Sequence, residues 1–84
     1  MEVKVGKVYR HFRGNLYLIE GIATDSVSDE KVVVYRALYG NCDLYVRPYD
    51  MFVEKVDKKL NPFATQDYVF QLIEITSDIK DFSL

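Results

Sequence analysis

The stretch "VVVYRALYGNCDLYVRP", residues 32–48, decides the fold. Valines, tyrosines and leucines flank Gly40-Asn41-Cys42-Asp43, which is the composition of two strands around a tight turn. Each strand carries one arginine, Arg36 or Arg47, amid otherwise apolar and aromatic neighbours. A turn of two or four residues sets Leu38 opposite Tyr45, Arg36 opposite Arg47 and Val34 opposite Tyr49. The other face then holds Val33, Tyr35, Ala37, Leu44 and Val46 without a charge, and is expected to be buried with Ile19, Ala23 and Phe52. Two facing arginines repel, so an acid is expected beside them: Glu20, Glu30 or Asp50, or an acid from a ligand.

Outward from this hairpin the punctuation stays that of a small β domain. Val8–Phe12 and Leu16–Thr24 read as strands around Arg13-Gly14-Asn15, a turn that needs positive φ. "TDSVSDE", residues 24–30, reads as an exposed loop, and strands over Lys31–Tyr39 and Leu44–Arg47 follow. Pro48 ends the fourth strand, "PYDMF" at 48–52 suits one helical turn, and "VEKV" at 53–56 reads as a short fifth strand. The expectation is a mainly β fold: a small SH3-like, partly open barrel of about five short strands over residues 1–60. Residues 61–84 form an extension, with an added strand at 68–75 and a loose tail from "SDIKDFSL".

Composition bounds the function. The 84-residue chain holds one domain, and its net charge of −2 is uneven: Lys4, Lys7, Arg10 and Arg13 outweigh Glu2 and Glu20 at the start, while acids dominate the end. A protein that binds phosphate backbones non-specifically usually carries a larger basic excess, so nucleic acid is the less favoured partner. The single Cys42 forms no internal disulfide and no apolar leader follows Met1, which points to the cytoplasm. The apolar runs are too short to span a bilayer, so no membrane role is expected. One His and one Cys complete no metal set, no catalytic dyad or triad is visible, and no cofactor is expected. His11 reads as a partly buried strand histidine, and Cys42 as an incidental exposed thiol.

Three segments, "GKVYRHFRGNLYLIEGIATDS", "VVYRALYG" and "YVRPYDMF", resemble in order and spacing the small bacterial domains of domain-of-unknown-function family 1653, over roughly residues 6–54. The resemblance implies a cytoplasmic bacterial protein with an SH3-like fold and no assigned activity, and it supplies no catalytic residue. Tyr35 and Pro48 read as scaffold within these segments, whereas Arg10, His11, Arg36 and Arg47 are hard to explain as packing. With Tyr45 and Tyr49 they make the candidate binding surface of a non-enzymatic module for a protein segment or acidic ligand.

Overall fold

The computed structural model describes residues 1–74. Its five strands are β1 (Val8–His11), β2 (Leu16–Thr24), β3 (Lys31–Ala37), β4 (Leu44–Pro48) and β5 (Phe70–Ile73). A one-turn helix, α1 (Tyr49–Phe52), follows β4. All strand pairs are antiparallel, in the order β4-β3-β2-β1-β5, giving one sheet that is not a closed barrel. The expected mainly β layout with a helical turn at 48–52 therefore holds. The segment expected as a fifth strand, 53–56, makes only a single bridge, Lys55 to Tyr68. The C-terminal strand is shorter than the expected 68–75, and residue 75 and the tail lie outside the described residues.

The inner face of the sheet makes the core. Tyr9, Tyr17, Ile19, Val33, Tyr35, Ala37 and Phe70 are buried there, closed from the far side by Val3 and Phe52. Phe52 and Phe70 stack at 4.2 Å with their planes 10° apart, and Tyr35 meets both rings edge-on. Aromatic pairs of this kind add roughly 0.5–1.5 kcal/mol each beyond the area they bury, which matters in a chain too short for a large core. Residues 66–70 are stitched to the rest of the domain by a buried amide. Gln66 Nε2 donates to the carbonyls of Arg10, Tyr68 and Val69 at 2.8–3.3 Å.

Two backbone features displace what simple alternation predicts. Glu20 is the extra residue of a bulge between Ile19 and Gly21, so Ile22 rather than Gly21 stands across from Val33, and Ala23 is turned off the face of Ile19. Ala23 is accordingly exposed instead of buried. In the β3–β4 hairpin Ala37 N–H donates to the Asp43 carbonyl, leaving residues 38–42 as an odd-length loop. Gly40 and Cys42 both adopt left-handed backbone within it, at φ 57° and 55°. The pairing becomes Arg36 with Leu44, Tyr35 with Tyr45 and Val33 with Arg47. This corrects the expected opposition of Arg36 and Arg47, and every β4 side chain changes face. Leu44 and Val46, expected in the core, stand 50% and 67% exposed on the outer side.

Candidate functional site

The register sends the two arginines to opposite faces. On the outer face the Arg36 guanidinium meets Glu20, with Nη2 at 2.9 Å and Nε at 3.1 Å from Oε2, and Nη1 donates to the Cys42 carbonyl at 2.9 Å. The bulge and the left-handed turn thus both contribute acceptors to one side chain. Arg36 is satisfied from within the chain. Arg10, also exposed, lies in the middle of β1 between Leu16 and Gln71 and joins no cluster with the other candidates.

On the inner face Arg47 reaches across the curled sheet from edge strand β4 to β5. Its guanidinium lies 4.8 Å from the centre of the Phe70 ring, spanning the open seam by a cation–π contact rather than a backbone ladder. No carboxylate among the described residues pairs with it. His11 stands beside it, edge-on to Phe70 at 5.1 Å and stacked on Phe12 at 4.6 Å. The backbone N–H of Arg13 donates to His11 Nδ1 at 3.1 Å, which leaves the ring proton of the neutral form on Nε2. Burial, then the charges of Arg47 and Arg13, hold the His11 pKa below its ordinary value. His11 is the half-buried strand histidine expected, in a positive field that the sequence did not disclose.

Tyrosines continue this face. Tyr45 lies over Tyr35 at 5.7 Å, and Tyr17 meets Tyr35, Tyr39 and Tyr45 edge-on at 5.3, 5.6 and 6.5 Å. The Tyr17 and Tyr39 hydroxyls share a 2.8 Å hydrogen bond. Burial first, then that bond, pushes the Tyr17 pKa up to about 12. Tyr45 is also raised, chiefly by the neighbouring Tyr39 phenol. Tyr17 and Tyr45 are therefore neutral at physiological pH, on the face that also carries the Arg47 guanidinium.

Of the six expected site residues, the structure brings together His11, Tyr45 and Arg47. Tyr49 belongs to the scaffold instead: its hydroxyl accepts from Val3 N–H at 3.3 Å, while the Tyr9 hydroxyl accepts from Lys4 N–H at 2.9 Å, and together they hold the N-terminal segment. Tyr17, Tyr35 and Tyr39 were not singled out as site residues. Their signal was the count of seven tyrosines in so short a chain, which composition shows without saying where they converge. Beyond His11 the face runs into a groove of ≈ 300 Å³ between Phe12–Arg13 and residues 60–64, with Phe63 in solvent at its rim. Among the described residues no three His, Cys, Asp or Glu side chains converge, and no helix there is long and apolar enough to cross a membrane.

Comparison with known proteins agrees with this architecture. The sequence pattern of DUF1653, a protein family of unknown function, matches residues 7–64. A crystal structure of a DUF1653 protein from Bordetella bronchiseptica superposes with a TM-score of 0.72 at 31% identity, over 92% of this chain and 96% of that one. No curated protein matches. A family pattern over most of the chain, and a solved relative that superposes over 92% of it at 31% identity, establish that the chain belongs to the DUF1653 family.

Proposed function

We propose that the domain is a non-enzymatic binding module whose inner face recognises an acidic ligand or an acidic protein segment. One observation carries this reading: Arg47 is held over the Phe70 ring and pairs with no carboxylate among the described residues, whereas Arg36 is neutralised by Glu20. A guanidinium fixed by a ring keeps its in-plane N–H groups free for a carboxylate or phosphate. The phenols of Tyr39 and Tyr45 add rigid donors and contact area beside it, and the His11 ring borders the same charge. The reading needs no cofactor. A bacterial, cytoplasmic setting belongs to the same proposal, supported by the single free thiol and by the bacterial source of the relative.

The nucleic-acid alternative draws less support from the geometry. It would draw on Lys4, Lys7, Arg10, Arg13, Arg36 and Arg47, and the strand arginines among these divide between faces, with Arg10 and Arg36 outside and Arg47 inside, so these three form no continuous basic stripe. The test is affinity capture from bacterial lysate at two salt concentrations, with wild type, Arg47→Gln and Arg36→Gln as baits. Loss of specific capture by Arg47→Gln alone is expected. Equal capture by all three baits would overturn the reading, and nuclease-sensitive capture that collapses with salt would favour nucleic acid.

A further inference from the structure

We infer that the domain pairs with a second copy of itself, edge to edge through β4. The ladder fixes which backbone groups are free. Because Ala37 N–H bonds the Asp43 carbonyl, residues 43, 45 and 47 point their N–H and C=O groups toward β3. Leu44 and Val46 therefore turn both of theirs outward, on a strand at the end of the sheet order. Natural edges are usually blunted by lysine, proline or a bulge. Here Pro48 closes one end of β4, but the run Leu44-Tyr45-Val46 carries no charge and its side chains are 50%, 40% and 67% exposed.

One antiparallel register uses this edge completely. With Tyr45 facing Tyr45 of the second copy across a two-fold axis, each Leu44 meets the other copy's Val46. Each such pair exchanges two backbone hydrogen bonds, and all the outward donors and acceptors of both residues find partners. Shifting the register by two residues in the other copy brings Pro48, which has no N–H, opposite Leu44 and leaves a carbonyl unused. The chosen register also sets Arg47 opposite Asp43 of the second copy, twice by symmetry. These residues share the inner side with Tyr45, and Asp43 is exposed. A guanidinium that pairs with no acid among the described residues of its own chain thus finds one in the other copy. Leu44 and Val46 of both copies merge into one apolar patch on the outer face. An acidic ligand and Asp43 of the second copy compete for the same guanidinium, so ligand binding and pairing oppose each other.

A contact built on one short strand is small, and a dissociation constant on the order of 10–100 µM is expected. Sedimentation velocity of the full chain from ~10 µM to ~1 mM tests it, and these concentrations bracket that constant. The wild type should pass from monomer to dimer across this range. Val46→Pro removes an N–H that the monomer's ladder does not use, so it should retain wild-type circular dichroism and remain monomeric; Val46→Lys is a second edge variant with the same expectation. Asp43→Lys and Arg47→Glu should each lose the homodimer through repulsion, yet associate when mixed, because the mixed pair restores both opposite-charge contacts. A wild type monomeric at the highest concentration, an edge variant that still dimerises, or charge variants that fail to associate on mixing would overturn the proposal.

Discussion

On the outer face Arg36 meets a carboxylate at 2.9 Å; on the inner face Arg47 meets an aromatic ring at 4.8 Å. The first contact cancels charge, whereas the second fixes a side chain without cancelling anything. Arg36, Glu20 and the Cys42 carbonyl form a closed set that stiffens a bulge and a turn. Arg47 keeps its charge, and that charge is felt at His11. An arginine that a fold holds in place but does not neutralise is the better candidate for a contact made to something else.

The largest expected effect tests whether the inner face is as much scaffold as surface. Phe70 underlies Arg47 and touches His11, Tyr17, Tyr35 and Phe52, and it is 1% exposed. Phe70→Ala should cost about 3–5 kcal/mol in urea denaturation, a large share of what a domain of this size has to lose. Leu18→Ala, at a half-buried outer-face position, should cost about 1 kcal/mol or less. Equal losses at the two positions would show that the two faces do not differ as described.

A smaller effect should appear in pH dependence. His11 has a folded-state pKa below the ordinary 6.5, from burial first and then from Arg47 and Arg13. Between the two values the unfolded chain binds the proton and the folded one does not. Stability is therefore full above about 6.5 and declines as pH falls from there toward the folded-state pKa. Arg47→Gln removes one of the two positive neighbours, so it should raise the His11 pKa and flatten this decline, while Arg36→Gln should do neither. The chain has a single histidine, so one pair of imidazole NMR resonances reports the titration. A His11 pKa unmoved by Arg47→Gln would separate the two residues and dissolve the proposed face.

The sequence made the strands legible because period-two alternation and turn residues are local signals. Leu16–Thr24 falls where expected, and the starts of β3 and β4 coincide with Lys31 and Leu44. Glu20 was likewise in view as an acid for the arginines. What stayed hidden depends on single residues that leave no local trace. Cys42 takes a left-handed conformation that nothing in its identity demands, which makes the turn odd in length and moves Arg47 to the inner face. The Glu20 bulge does the same to Ala23. The aromatic face was hidden for a related reason: Tyr17, Tyr35, Tyr39 and Tyr45 come from three strands and a loop, and only the register brings their rings together.

The smallest expected effect sharpens the contrast from the side of Arg36. If its charge is answered by Glu20, the two residues should be coupled: Arg36→Gln and Glu20→Gln together should cost less than the sum of the single losses. Both side chains are more than a third exposed, at 38% and 35%, so solvent screens the pair. The coupling should be only about 0.3–0.5 kcal/mol and should shrink with added salt. The same cycle between Glu20 and Arg47 should give no coupling, since the register puts them on opposite faces. Coupling of equal size in both cycles would mean that Glu20 senses both arginines through a shared field. Arg47 would then not be the unanswered charge on which the inner-face reading rests.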